Sequence, residues 1–174
     1  MEKIYVRNTC SSMEDLLVRK YMLEKEGIKH IFWDKDDRYE VAVCRCLILK
    51  DEEPIGFINI VPERIRGVYF LDMGIEKTFQ GQGYGKLALK DFFRKFKCDE
   101  FIIAETKNDN VLANSSANKF GVLAYQENDQ NYYLMNSDLQ TFESSDVYEN
   151  FIDYCKGDKP TQKELIRSIF NTGK

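Results

Sequence analysis

The sequence is poor in the residues and runs that many common chemistries need. It holds one histidine, His30, beside Ile31, Phe32 and Trp33. Any Ser-His or Cys-His nucleophilic pair would have to use that side chain, and no Gly-x-Ser-x-Gly element accompanies it. His30 therefore reads as a surface or packing residue. No stretch of about eighteen apolar residues is present, and no basic segment followed by a greasy one stands near the start, so neither a membrane span nor a leader is expected. Basic excess is missing as well: 25 Lys and Arg against 29 Asp and Glu leave a formal charge of −4. A polyphosphate backbone is a poor match for such a chain, and nucleic acid is not expected as a partner. The five cysteines, Cys10, Cys44, Cys46, Cys98 and Cys155, are odd in number and irregularly spaced, which excludes a disulfide framework. Cys44 and Cys46 stand two apart in an apolar run and read as small apolar side chains on one strand face rather than as metal ligands. The expectation is a reduced, cytoplasmic protein without a metal.

What is present suits one globular domain. Length (174 residues) is enough for one core and short for two, and 43% hydrophobic against 31% charged residues is a soluble, folded balance rather than a disordered one. The pattern predicts a strand over 1–6, then a helix opened by the capping pair Ser11 and Glu14 and carrying Leu16, Leu17, Tyr21 and Leu23 up to Gly27. A short helix or irregular segment follows over 28–33, and a charged loop over 34–38. Strands are predicted over 41–49, 55–61 and 68–75, the first two forming a hairpin across Asp51 to Pro54. A strongly amphipathic helix follows, with Ala88, Leu89, Phe92, Phe93 and Phe96 on one face and Lys86, Lys90, Asp91, Arg94 and Lys95 on the other. A strand over 101–104 leads to a helix over 110–120, capped by Asp109 and stopped by Gly121, and two more strands cover 122–125 and 131–135. Beyond Asn136 only helical signals remain, one from Ser145 through Val147, Phe151 and Tyr154, and one from the capping box Thr161 and Glu164 through Phe170. The order describes a mixed α/β fold. Its domain spans 1–136, and the helical tail of 137–174 packs on the same domain.

Between the strand ending at Ile75 and the amphipathic helix lies Gln80-Gly81-Gln82-Gly83-Tyr84-Gly85. Glycine admits close approach of a ligand to the backbone, and the free N–H groups of a first helical turn, aided by the helix dipole, favour a phosphate. The spacing is wrong for a P-loop, because three residues rather than four separate Gly81 from Gly85 and Lys86 is followed by Leu87. It is also wrong for the dinucleotide fingerprint, whose third glycine would come one residue later. A ligand-free flexible turn remains the bland reading, though a turn does not need three glycines and a helix start.

The surviving pattern, Gln80-x-x-Gly83-x-Gly85, resembles the Gln/Arg-x-x-Gly-x-Gly/Ala signature of the GNAT superfamily of N-acetyltransferases, and the resemblance covers about residues 1 to 136. It implies a central mixed, mostly antiparallel sheet of six to seven strands flanked by helices, here with a helical extension. It implies acetyl-coenzyme A as co-substrate, its pyrophosphate held by Gln80, Gly81, Gln82, Gly83, Tyr84, Gly85 and Lys86. Met73, Gly74 and Ile75 would pair with the pantetheine arm as an added strand would. Downstream, Asn110, Ala113, Lys119 and Gly121 fall at the family's offsets, so that Asn110 would touch the pantetheine region. Glu105 is similar to the glutamate that serves as general base in the branch acetylating ribosomal-protein N-termini; its bland alternative is a solvated strand-end carboxylate. Two departures stand out: Ala117 replaces the tyrosine that protonates the leaving thiolate, and Val122 replaces a phenylalanine.

The resemblance thus implies an enzyme that moves an acetyl group to a primary amine by direct transfer in a ternary complex. Glu105 is the base, Asp72 and Glu76 on a shared strand face are its runners-up, and the Ile75 N–H meets the oxyanion. The acidic balance leans toward a small cationic amine. Ala117 keeps alive a coenzyme A-binding module of the same fold without turnover. The tail leaves a homodimer, or a protein-interaction role, as a further alternative.

Overall fold

The computed structural model describes residues 2–25, 42–62 and 65–157. His30, the segments predicted over 28–38 and the helix predicted from Thr161 lie outside them. Strand β1 (Ile4–Asn8) and helix α1 (Ser12–Lys25) open the chain, followed by β2 (Cys44–Lys50), β3 (Glu53–Pro62) and β4 (Val68–Ile75). A single 3₁₀ turn, Lys77–Phe79, then leads to α2 (Tyr84–Lys95), β5 (Phe101–Lys107), α3 (Val111–Phe120), β6 (Val122–Glu127) and β7 (Gln130–Leu134). Helices α4 (Leu139–Glu143) and α5 (Tyr148–Lys156) follow. Among the described residues the sheet has seven strands in the order β1-β2-β3-β4-β5-β7-β6, every neighbouring pair antiparallel except β4 with β5.

Strand alternation sorts the side chains onto two faces. One face carries Ile48, Ile58, Ile60, Ala104 and Tyr133 beneath Ala88, Leu89 and Phe92 of α2 and Ala117 of α3. The other carries Leu47, Leu49 and Phe57 under Val18 and Met22 of α1. Farther along that second face, Val61, Phe70, Ile103, Tyr132 and Leu134 are covered by Phe142 of α4 and Phe151 of α5. Helix α2 also closes the β1 edge: Asp91 Oδ2 accepts from the Val6 N–H at 2.8 Å and Lys95 Nζ donates to the Val6 carbonyl at 2.7 Å. Those bonds occupy groups that would otherwise template a further strand.

Several boundaries differ from the sequence reading, each for a local reason. The first hairpin turns on Asp51 and Glu52, both at positive φ (49° and 81°), so β3 resumes at Glu53, ahead of the proline. Asn110 rather than Asp109 caps α3, its Oδ1 accepting from the Ala113 N–H at 3.1 Å. Gly121 does stop α3, but in extended backbone (φ −126°). A Cβ there would meet the Leu134 carbonyl at 2.6 Å and Met135 Sδ at 2.7 Å, so contact with β7, not a left-handed turn, requires the glycine. The short α4, opened by Asp138 accepting from Thr141 N–H at 2.8 Å, went unpredicted because five residues are too few to show a period.

Candidate active site

Two glutamines set the loop between β4 and α2. Gln80 Nε2 donates to the Ile75 carbonyl at 2.8 Å, and Gln82 Nε2 donates to the Thr78 carbonyl at 3.3 Å. Gly81 (φ 77°) and Gly83 (φ 84°) lie in the left-handed region, and a Cβ on either would meet nothing within 4 Å. Gly85 differs: a Cβ there would touch Met73, Ile75 and Ser116 at 3.4–3.5 Å, so this glycine lets α2 settle onto β4 and α3. Gly83 is the N-cap of α2 and offers no side chain to its first turn. Among the described residues, no backbone acceptor engages the N–H groups from Gly81 to Lys86, which makes them a candidate anion cradle at a helix N-terminus. Tyr84 contributes only its backbone, since its ring is 5% exposed in the core and its hydroxyl donates to Glu2 Oε2 at 2.8 Å. Lys86 stands beside Lys119 of α3, and that neighbouring ammonium lowers its pKa. Two adjacent cations at the cradle make it attractive to a polyanion.

Below the loop the sheet splits. Strand β4 pairs with β5 only from Val68 to Leu71, opposite Phe101 to Ala104; beyond that, β5 continues with β7 alone. The antiparallel ladder dictates which backbone groups face the gap. Glu76 N–H donates to the Ile55 carbonyl at 2.8 Å, and the constant register therefore turns Gly74 toward Phe57 on β3, and Met73 and Ile75 toward the gap. Of the three residues expected to line a pantetheine arm, Met73 and Ile75 turn their backbone groups toward the gap, and Gly74 turns its own toward β3. The Ile75 carbonyl is taken by Gln80, and among the described residues no acceptor engages its N–H. By the same alternation Met135 N–H bonds to the Ile102 carbonyl at 2.9 Å, so Glu105 and Lys107 turn their backbone groups into the gap from the other wall.

The candidate bases share the face opposite α2 and α3. Glu105 is half-buried and lies in register with Tyr132; with its amide oriented to satisfy both ends, Gln130 donates to Glu105 Oε1 at 3.3 Å. Burial, then the Glu105 charge, pushes the Tyr132 phenol up. Asp72 is 4% exposed and ion-paired with Lys25 Nζ at 2.7 Å. Glu76 follows β4 and accepts from Thr78 Oγ1 at 3.4 Å.

Helix α3 packs on the α2 side of the sheet, against α2, β5, β6 and β7. Asn110 spends its side-chain oxygen on its own helix cap, so only its remaining groups are available to a ligand. The sequence reading missed Asn114, four residues on. Its Oδ1 accepts from Thr106 Oγ1 (2.5 Å), Asn131 Nδ2 (2.9 Å) and Tyr133 OH (3.0 Å). Its Nδ2 donates to the carbonyls of Lys107 (2.7 Å) and Asn110 (2.8 Å), which ties α3 to the end of β5. Nothing but its spacing from Asn110 could have flagged it. Ala117 is 4% exposed with its methyl in the core. The Tyr125 hydroxyl donates to Glu127 Oε2 at 2.7 Å, and that bond holds its pKa up at about 12.

A family model described as Acetyltransferase (GNAT) family matches residues 11–122. The chain belongs to this family. Members of the GNAT family are acyl-coenzyme A-dependent N-acetyltransferases acting on amines, and the chain is a transferase of that kind. Its solved neighbours carry the same fold at low identity. An acetyltransferase of Bacillus subtilis in complex with CoA matches at 15% identity, covering 78% of this chain and 100% of that one, with a TM-score of 0.55. A ribosomal L7/L12 alpha-N-protein acetyltransferase in complex with coenzyme A matches at 14%, covering 79% and 96%, with a TM-score of 0.54. An acetyltransferase from Salmonella typhimurium that modifies the N-terminal serine of ribosomal protein L7/L12 matches at 16%, covering 76% and 94%, with a TM-score of 0.52. No curated protein sequence matches the chain. The candidate N–H cradle, the open glycine positions and the split between β4 and β5 fit acetyl-coenzyme A as the co-substrate. No helix among the described residues is long and apolar enough to cross a membrane.

Proposed function

We propose that the chain transfers an acetyl group from acetyl-coenzyme A directly to a primary amine, both substrates being bound at once. The observation that carries this reading is the split sheet. Its gap is open between β4 and β5, with the anion cradle and α3 on one face and Glu105 on the other, so donor and acceptor can meet through it. The thioester supplies an activated acetyl carbonyl and a thiolate leaving group. The N–H groups of Gly81 to Lys86 hold the diphosphate, Met73 and Ile75 align the arm, and the Ile75 N–H faces the developing oxyanion, a contact worth about 3 kcal/mol when preorganised. Glu105 takes the proton of the attacking amine, directly or through water. With Ala117 at the usual acid position, the thiolate leaves unprotonated, which a thiol pKa of about 8.5 allows near neutral pH.

A small cationic acceptor suits the acidic face. Burial, then the nearby charges of Glu76, Glu24 and Glu53, push the Tyr21 phenol up to about 12, and the same field attracts an ammonium. Residues 1–136 make the catalytic unit, and helices α4 and α5 of the tail cover the sheet beside it. Thiol release from acetyl-coenzyme A, measured against polyamines, amino acids, aminoglycosides and a peptide beginning with serine, tests the assignment. Release with at least one amine, highest for the polycations, is expected. Tight coenzyme A binding without release on any amine would leave the non-catalytic module that Ala117 favours.

A further inference from the structure

At the end of the sheet far from the loop, Cys44 and Cys46 project side by side from the first residues of β2, their sulfurs 3.4 Å apart. Both thiols reach Asn8 Oδ1 of β1, Cys46 at 3.3 Å and Cys44 at 3.7 Å. They line a surface cavity of about 650 Å³ whose other walls include Val6, Phe92, Lys95 and Phe96. Cys46 is buried and Cys44 half-buried, so one sulfur anchors the floor and the other meets the opening.

Two chemistries can use adjacent thiols. A disulfide between them fits poorly: residues two apart on a strand are separated by about 6.6–6.8 Å, the upper limit for that bond, and closing it stores strain. A closed four-coordinate metal site also fails, since among the described residues no group of three or more His, Cys, Asp or Glu could hold an ion. A centre that needs two sulfurs does fit. With bonds of about 2.3 Å, the length of a metal thiolate, sulfurs 3.4 Å apart subtend an angle of about 95° at a shared atom. That is a pyramidal angle rather than a linear or tetrahedral one.

We propose that Cys44 and Cys46 form a bidentate dithiol site for a trivalent thiophilic metalloid of the organoarsenic(III) class. The reaction is a condensation without electron transfer. An arsonous centre, R–As(OH)₂, loses both hydroxyls as two waters, each taking one thiol proton, and two As–S bonds form. The organic substituent projects into the cavity against Phe92 and Phe96. The bond from the Cys46 thiol lowers the Cys44 pKa and so readies the more accessible sulfur to attack first.

Phenylarsine oxide titrated into the full chain tests this. One equivalent per chain is expected by intact mass, retained in excess 2-mercaptoethanol and removed by a dithiol. Cys44→Ser should weaken capture at least tenfold, whereas Cys10→Ser should not change it. Peptide mapping of the wild-type adduct needs no variant to fold: trypsin cuts after Arg45, and an arsenic bridge keeps the two resulting peptides linked. Linkage of these peptides alone supports the site. A bridge to any other cysteine, loss of the adduct to a monothiol, or undiminished capture by Cys44→Ser overturns it.

Discussion

Gly83→Ala separates what the loop does for the fold from what it does for the ligand. The native φ of 84° is left-handed, and a Cβ there meets nothing within 4 Å. The substitution therefore costs only the left-handed backbone term, about 1–2 kcal/mol. For a chain of this length that is a loss of roughly 2–8 °C in Tm. The empty space around the added methyl is where the diphosphate must come against the N–H groups. Losing one charge-assisted bond, roughly 1.5–3 kcal/mol, predicts coenzyme A binding roughly 10- to 100-fold weaker. Calorimetric titration measures the affinity, and melting with and without coenzyme A gives an independent reading, since ligand at a hundredfold over Kd adds about 2.7 kcal/mol. Gly121→Ala is the control. Its methyl would collide with the Leu134 carbonyl and Met135 Sδ, so it should destabilise the chain without acting on the cradle. Unchanged coenzyme A affinity in Gly83→Ala would refute the reasoning, even with the expected drop in Tm.

Glu105→Gln should lower the transfer rate about 10²- to 10⁴-fold below the pKa of the amine. Coenzyme A affinity should stay as it was, and the rate should recover as rising pH deprotonates the amine itself; a rate equal to wild type at every pH would remove Glu105 from the role. Glu14 pairs with Arg7 through two 2.7 Å bonds, and that pairing lowers its pKa to about 2. Because its folded-state pKa is depressed, its stabilisation is present above the ordinary carboxylate range and is lost as pH falls from about 4.3 toward 2. Glu14→Gln should therefore lower Tm by about 2–4 °C at neutral pH, the effect of about 1 kcal/mol, and by nothing near pH 2. Equal differences at both pH values would contradict the assignment.

Much of this architecture was legible in the residues. The hydrophobic face of α2 and the glycines at 81, 83 and 85 sit where their spacing implied, because helical period and backbone freedom are local properties. The boundaries of β5 were not legible. Periodicity ended it at Ala104, whereas it runs to Lys107 because β7 pairs with it there, and such pairing is written in distant residues. For the same reason Gly74 was grouped with Met73 and Ile75: sequence gives the strand, but only the partner's register tells which carbonyls and N–H groups are spent on β3. Asn110 was read through the family's offset, and its capping bond within its own helix emerged only from the geometry. Tyr84, named with the loop, turned inward because its ring has a core to fill.

The seam of four paired positions between Val68–Leu71 and Phe101–Ala104 has a mechanical meaning. It joins two leaves, one of strands β1 to β4 and one of β5 to β7, along a short spine. An extended molecule lodged farther down would stitch the leaves where the chain itself leaves them apart. The empty protein should then open and exchange its amides fastest along that line, and its lifetime against proteases should lengthen as the supply of activated acetyl groups rises.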